Sequence, residues 1–417
     1  MRLSGPEAFE SVEKLCSSAL PPPRRAGLRA LRHPGTGALL DRALVLLFPG
    51  PASETGDDLA ELHLHGGPAV VSQVLAALGE LPGLKPAEAG AFTRRAFDNG
   101  RMDLTQVEGL ADLLAAETER QRLQALRLLE GGIGAQCELW RDRLLDLLAL
   151  VEADLDFADE EDVAALDLAK IRAQASHLAG ELGQWLSRPT ADRLRDGVRV
   201  VVSGPPNAGK SSLINAIARR EVAIVTPIAG TTRDLIEVPL AIAGLPFLLI
   251  DTAGLRDSDD PIEREGVKRA ERAIANADIV LAMGEDGGAI PLRPDGGPII
   301  ICVASKCDQR GRDAGWEGDT LNVSATSGAG LDLLLETLVA RAEPLFGRGD
   351  DILLANQRQA AALRDCREAL ERLDGIDDPV LIAEELRLAL SALARLVGRM
   401  GVEDMLDRLF ARFCIGK

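Results

Sequence analysis

The spacing of apolar positions changes along the chain, and the changes divide it. Near the N-terminus the apolar runs are short. Residues 43–48 (ALVLLF) predict a strand, and residues 58–64 (DLAELHL) alternate as a half-exposed strand does. His65-Gly66-Gly67-Pro68 breaks that strand, and a helix is expected over 69–78; Pro21-Pro22-Pro23 and Pro49-Gly50-Pro51 read as loops. From Asp103 the period becomes helical. Thr105-x-x-Glu108 reads as a capping box, Leu110, Leu113 and Leu114 continue an apolar stripe, and the run is expected to end near Gly131-Gly132. Further helices are predicted over 135–157 and 163–185.

The pattern then switches to buried strands. Residues 198–202 are a β-branched run, and 245–250 (LPFLLI) and 298–303 (PIIICV) are continuously apolar, as parallel strands covered on both faces are. Helices return over 353–373, over 379–397 with proline in the first turn, and over 402–413. The predicted organisation is an α+β domain over 1–100, a helical domain built from 101–195 and 347–417, and an α/β nucleotide domain over 196–346 inserted between the two helical segments.

The chemistry concentrates at the ends of the buried strands. Gly204-Pro-Pro-Asn-Ala-Gly209-Lys210-Ser211 fits the phosphate-loop spacing G-x-x-x-x-G-K-[ST], and it follows a strand and precedes a helix carrying Leu213, Ile214 and Ile217. Its glycines let backbone N–H groups face phosphates, and the helix N-terminus adds positive potential. Lys210 is expected to reach the β/γ-phosphates and Ser211 to ligate Mg²⁺. Gly230-Thr231-Thr232 offers a second hydroxyl, Thr232, to the metal. Asp251-Thr252-Ala253-Gly254 places a carboxylate to hold Mg²⁺ through water and a Gly254 N–H to sense the γ-phosphate. In Ser305-Lys306-Cys307-Asp308 the carboxylate accepts both donors of a guanine edge, and Lys306 stacks along the base. Ser324-Ala325 is placed to meet the guanine oxygen. This order of motifs is that of a GTPase. Two positions depart from the usual pattern: Ser305 stands where an Asn is common, which weakens guanine affinity, and Leu255 stands where small GTPases place a water-orienting Gln.

Composition narrows the class. The chain has 417 residues, 46% hydrophobic and 27% charged, with no apolar run of membrane-spanning length. The opening residues MRLSGPEAFE lack the apolar core of an export signal, so a cytoplasmic location is expected. Six scattered cysteines fit reduced thiols. A net charge of −18 argues against non-specific nucleic-acid binding, while one RNA held at a local basic patch stays compatible. His63 and His65 alternate on a strand without a third ligand nearby, which favours a structural role over a metal site.

Beyond these motifs the chain resembles the MnmE (TrmE) tRNA-modification GTPases over essentially its whole length. The likeness rests on Arg2-Leu3-Ser4-Gly5-Pro6, Leu64-His65-Gly66-Gly67, Phe92-Thr93-Arg94-Arg95-Ala96-Phe97, the GTPase motifs, residues 381–387 (LIAEELR) and the terminal Phe413-Cys414-Ile-Gly-Lys417. The resemblance implies an N-terminal tetrahydrofolate-binding domain, a helical domain drawn from both sides, and an inserted Ras-like G domain. It implies a GTP-contacting set of Asn207, Ala208, Gly209, Lys210, Ser211 and Ser212; Thr226, Ile228, Ala229, Gly230, Thr231 and Thr232; Asp251, Thr252, Ala253 and Gly254; Ser305, Lys306 and Asp308; and Ser324 and Ala325. Catalysis falls to Glu263, which orients water, with Lys210 and Thr232.

The resemblance also answers the Leu255 departure. A potassium ion held by Asn207, Thr226, Ile228 and Thr231 takes the place of an arginine finger as two G domains of a homodimer meet. Arg2, Glu61, Arg101 and Lys417 match folate-contacting positions, with Arg101 replacing a commoner lysine. Family members usually carry further residues ahead of the position of Met1, including a proline–glycine-rich strand, which implies a folate domain shortened at its start. The implied activity is GTP hydrolysis that drives modification of the tRNA wobble uridine at C5, to aminomethyl or carboxymethylaminomethyl, with a 5-formyl- or 5,10-methylene-tetrahydrofolate one-carbon unit. The partners are an FAD-containing MnmG (GidA) protein, forming a heterotetramer, and tRNA. The competing expectation is a GTP-dependent scaffold or ribosome-assembly factor without tRNA chemistry, which would have no need of a folate pocket.

Overall fold

An antiparallel sheet is built from β1 (Arg2–Ser4), β2 (Gly27–Arg32), β3 (Leu39–Phe48) and β4 (Leu59–His63), in the order β1-β4-β3-β2, with alternation clearest in the second half of β3. One face supplies Leu3, Leu31, Val45, Leu47 and Leu62 to a core closed by Val12 and Leu15 of α1 (Ala8–Leu15) and by Val74, Ala77 and Leu78 of α2 (Pro68–Gly79). The other face stays open. There Leu28 and Leu44 lie directly opposite each other on β2 and β3, 63% and 42% exposed. Arg2 lies opposite Glu61. The expected strands at 43–48 and 58–64 are the cores of β3 and β4, and the helix expected at 69–78 is α2.

The computed structural model describes residues 1–16, 18–156, 167–188, 192–223, 236–251, 271–284, 297–346, 354, 356–400, 409–410 and 413. Its contacts resolve into two compact units. The first is Met1–Ala111, Leu128–Ile171 and Arg372–Lys417; the second is Asp112–Arg127 and Arg172–Glu371.

Helices in the first unit include α3 (Ala91–Asp98) and the start of α4 (Leu104–Ala115). The end of α5 (Glu119–Leu129) and α6 (Gly132–Asp156) also belong to it. The expected single helix from Asp103 to Gly131 is therefore two, and its capping box is misplaced. Thr105 and Glu108 lie inside α4, both buried. The reciprocal cap is Asp103 with Gln106: the Gln106 N–H donates to Asp103 Oδ1 at 2.9 Å, and the Asp103 N–H donates to Gln106 Oε1 at 3.0 Å. Thr105 instead donates its hydroxyl to the same Asp103 carboxylate at 2.6 Å. A second box starts α5, where the Thr118 N–H donates to Gln121 Oε1 at 2.8 Å and the Gln121 N–H to Thr118 Oγ1 at 3.3 Å. Two capping boxes satisfy the first-turn donors of two helices, so the chain breaks between them.

The second unit is organised on a sheet of order β11-β12-β10-β9-β5-β8-β7-β6. After α7 (Leu168–Leu186) and α8 (Asp192–Asp196) come β5 (Val198–Ser203), α9 (Lys210–Arg220), β6 (Val222–Ala223), β7 (Ile236–Ile242) and β8 (Leu245–Asp251). Then follow β9 (Ile279–Gly284), β10 (Ile299–Ala304), α10 (Cys307–Arg310), β11 (Gly315–Glu317), β12 (Thr320–Asn322) and α11 (Leu331–Ala342). Strands β8, β5, β9, β10 and β12 run parallel, and β6, β7 and β11 add antiparallel edges. Every residue of β9 is buried, which is why these strands read as unbroken apolar runs. Val200, Val202, Leu249, Leu281 and Val303 pack on one face against Leu213 and Ile217 of α9 and Leu334 and Leu338 of α11. Asp278 pins the start of β9, accepting from the Arg199 N–H at 3.0 Å and pairing with Arg193 Nε at 3.0 Å.

Beyond the sheet, α12 (Gln357–Arg372) and α13 (Pro379–Val397) account for the expected helices over 353–373 and 379–397. Within the first unit α13 packs along α6, and exposed ion pairs Arg387–Glu152 and Arg399–Glu138, each 2.9 Å, edge that contact. The expected helix over 402–413 falls mostly outside the described residues. No helix among the described residues is long and apolar enough to cross a membrane.

Candidate functional site

The carboxyl ends of β5, β8, β10 and β12 carry the loops that hold the motifs, the edge where open α/β sheets bind ligands. Gly204 follows β5 so closely against β9 that a Cβ there would collide with the Met283 carbonyl, so the loop admits only glycine at that position. Asn207 adopts φ +61° and Gly209 begins α9 in the left-handed region. Lys210 is buried, its Nζ donating to the carbonyl oxygens of Gly204 at 3.0 Å and Pro205 at 2.9 Å. Ala208 is buried behind the loop, while Ser211 and Ser212 lie exposed on the first turn of α9.

Ser211 and Asp251, forty positions apart, meet beneath this loop. The Ser211 hydroxyl donates to Asp251 Oδ2 at 2.6 Å, and Asp251, the last residue of β8, is only 3% exposed. A hydroxyl and a carboxylate in contact at the foot of a phosphate loop are hard oxygen donors, the set Mg²⁺ takes. The residues present therefore fit the expected metal.

The loops that carry the expected base contacts are tied to the phosphate loop and to each other. Lys306, at φ +59°, sends its ammonium across to the Asn207 carbonyl oxygen at 2.8 Å. The Cys307 N–H donates to the Val323 oxygen at 3.2 Å, and the Val323 N–H to the Ala304 oxygen at 2.8 Å. Ser305 and Ser324 are buried and Asp308 is exposed; Ala325 is half-buried. The Ser324 hydroxyl accepts from the Ser327 N–H at 3.2 Å, which curls the 324–329 loop. The Lys306 tie between loops was not legible in the motif, which assigns that lysine to the base; a non-glycine residue at positive φ is a property of the folded loop.

Thr226, Ile228, Ala229, Gly230, Thr231, Thr232, Thr252, Ala253, Gly254, Leu255, Glu263, Cys414 and Lys417 lie outside the described residues.

The other predicted set is partly assembled in the first unit. Arg2 Nε donates to Glu61 Oε1 at 2.9 Å and its Nη1 stands 3.6 Å from Glu54 Oε2. Arg101 is exposed just beyond α3, its N–H bonded to the Ala96 oxygen at 2.8 Å. A cavity of about 220 Å³ lies beside β1, lined by Leu3, Leu75, Leu84 and Phe92 and by Arg2 and Arg95. A wider cavity of about 800 Å³ shares Arg95 and adds Asp57, Arg94, Asn99 and Phe410.

His65 Nδ1 bonds Asp41 Oδ1 at 2.8 Å, and His63 Nε2 lies 3.3 Å from Glu61 Oε2. Burial pushes the Asp41 carboxyl up, but the hydrogen bonds from the His65 N–H and ring and from the Arg42 N–H outweigh it and hold it below the usual value. Among the described residues no group of three or more His, Cys, Asp or Glu could hold a metal ion.

Comparison with known proteins bears on the family. Residues 1–101 match the family model of the GTP-binding protein TrmE N-terminus, and residues 104–414 match that of the MnmE helical domain. The chain is 54% identical over 420 residues to the tRNA modification GTPase MnmE of Rhizorhabdus wittichii, covering all of this chain and 93% of that protein. It is 53% identical over 425 residues to the protein of that name from a Methylobacterium species, covering all of this chain and 96% of the other. The corresponding protein of Sphingopyxis alaskensis is 50% identical over 427 residues, with both chains covered in full.

Proposed function

The chain belongs to the MnmE family of tRNA modification GTPases, and on that premise we propose that it is a potassium-activated GTPase that, with an FAD-containing MnmG partner, modifies C5 of the tRNA wobble uridine using a tetrahydrofolate one-carbon unit. The observation that carries the nucleotide half is the Ser211–Asp251 contact beneath a phosphate loop whose lysine is already buried against it.

In this reading Ser211 ligates Mg²⁺ together with Thr232, and Asp251 holds it through water. Bound there, the metal supplies positive charge against the oxygens of the transferring phosphoryl group. Lys210 exchanges the Gly204 and Pro205 carbonyl oxygens for phosphate oxygens. Asp308 accepts the paired donors of guanine, which adenine lacks, and Lys306 lies along the base. Ser305 contributes a hydroxyl where a longer amide would span more of the site, so guanine affinity is lower than an Asn would give. Glu263 orients the attacking water, the task Leu255 cannot perform. Asn207, Thr226, Ile228 and Thr231 hold K⁺, whose charge substitutes for an arginine finger.

GTP hydrolysis acts as a switch rather than as the modifying chemistry. The G domain, inserted in the helical domain, alternates between states joined to and parted from its dimer mate, and the helical domain carries that change to the folate site. Arg2, Glu61, Arg101 and Lys417 bind the folate. The open face of the N-terminal sheet, with the exposed Leu28–Leu44 pair, supports pairing of two copies there. The assembly with MnmG is a heterotetramer in the cytoplasm.

The test is reconstitution. Purified chain, FAD-loaded MnmG and unmodified tRNA are incubated with folate donor, ammonium or glycine as nitrogen donor, and K⁺, with GTP or a non-hydrolysable analogue, and the wobble nucleoside is read by mass spectrometry. Modification that requires hydrolysable GTP is expected. Equal yield with the analogue, or none at all, contradicts the assignment.

A further inference from the structure

We propose that Arg95, on α3, is a positioning residue of the folate site: it fixes the strand bearing Arg2. The proposal deepens the folate reading given above and rests on it.

Neighbouring residues on a helix project about 100° apart, so one helix can reach two partners. Arg95 reaches toward β1. Its Nη1 donates to the carbonyl oxygen of Ser4, two positions from Arg2, and its Nε stands 3.4 Å from Asp57 Oδ2. The contact explains Gly5. At φ +130° a Cβ on Gly5 would lie 2.9 Å from Arg95 Nη1, so any side chain there would both strain the backbone and push the guanidinium aside.

The rest of the neighbourhood points the same way. Ser4 and Thr55 share a hydroxyl–hydroxyl bond of 2.7 Å, and the Gly5 N–H donates to the Asp58 oxygen at 2.9 Å. Asn99, one turn beyond Arg95 on the same helix face, donates to the Thr55 oxygen at 2.8 Å and lies 3.2 Å from Asp57 Oδ1. The end of β1 is thus gripped by α3 and the 55–58 loop together, and Arg2 projects from that strand onto Glu61.

Arg94 reaches the other way. Its guanidinium carbon lies 5.8 Å from the centroid of the Phe410 ring, within cation–π range. Phe410 and Phe413 are 3% and 5% exposed and pack with Leu104 and Val107 of α4 and with Phe97 of α3. Phe410 and Phe413 are thereby seated on the helix pair that flanks Arg101. Arg95 lines both cavities, and Arg94 lines the wider one with Phe410. Arg95 therefore stands where a ligand touching Arg2 and one touching Phe410 would share a wall.

The experiment is calorimetric binding of 5-formyl-tetrahydrofolate to the full chain, with GTP affinity and melting temperature measured on each variant. Arg95→Ala is expected to weaken folate binding about tenfold or more, the size of a lost charge-assisted hydrogen bond. GTP affinity stays unchanged. Arg95→Lys recovers part of the loss, because an ammonium can serve one of the two partners. The decisive comparison is in the Arg2→Ala background, where adding Arg95→Ala has no further effect if Arg95 acts through Arg2. Wild-type folate affinity in Arg95→Ala, losses that multiply in the double variant, or a parallel fall in GTP affinity overturns the proposal. A wild-type chain that binds no folate overturns the functional reading, and this proposal with it.

Discussion

Replacing Ser211 by Ala removes the hydroxyl that donates to Asp251 Oδ2 at 2.6 Å. The acceptor is a carboxylate with 3% exposure, so water does not take the vacated position freely. Leaving a buried acceptor short of a donor costs about 1–3 kcal/mol, and the lower half of that range applies because Asp251 retains another interaction. The same substitution removes a metal ligand. At about 1.4 kcal/mol per decade, the Mg²⁺-dependent gain in GTP affinity should fall by about tenfold or more, while affinity in EDTA changes little. Ser211→Thr keeps the hydroxyl and should keep most of the gain. The assay is titration of a fluorescent GTP analogue with and without Mg²⁺ on wild type and both variants. An undiminished Mg²⁺ gain in Ser211→Ala would refute the assignment of Ser211 and Asp251 to the metal.

Two further outcomes follow from the same account. Glu263→Ala should lower GTP turnover by about 10²–10⁴-fold, the range for a group that activates water, with GTP affinity nearly intact; equal losses in both would remove its catalytic role. Burial pushes the Cys366 thiol up to about 12 from an ordinary 9.0, so at pH 8 it carries roughly a thousandfold less thiolate than an exposed cysteine. Mass-spectrometric alkylation at pH 8 should leave Cys366 unmodified until the chain unfolds. Because the folded pKa is the higher one, the stability this burial adds is present below pH 9 and is lost as pH rises toward 12. Rapid labelling of the folded chain would show that α12 opens.

What could be read in advance depended on how local the cause was. The phosphate loop is a spacing rule, and its strand–loop–helix setting was visible because β5 and β8 are largely buried on both faces and so mostly apolar. The short β1 gave no such signal, since it is held by β4, distant in sequence, and β2 (GLRALR), though it forms a hairpin with the adjacent β3, has too few buried apolar positions to show a period. The break between α4 and α5 was present in the chain as Asp103-x-x-Gln106 and Thr118-x-x-Gln121. It was hidden by Thr105-x-x-Glu108, which has the right letters two residues too late. The Ser211–Asp251 pairing followed from the motifs. The grip of Arg95 on Ser4 spans residues ninety-one positions apart and needed the fold.

The account turns on a monovalent cation completing the charge balance at the γ-phosphate in a chain that has Leu255 where a water-orienting Gln is usual. The direct measurement is steady-state GTP turnover in KCl and in NaCl at equal ionic strength, over a range of protein concentration. The account predicts turnover that is much faster in KCl and rises more than proportionally with concentration as G domains meet. Equal rates in the two salts, with turnover per chain independent of concentration, would contradict it.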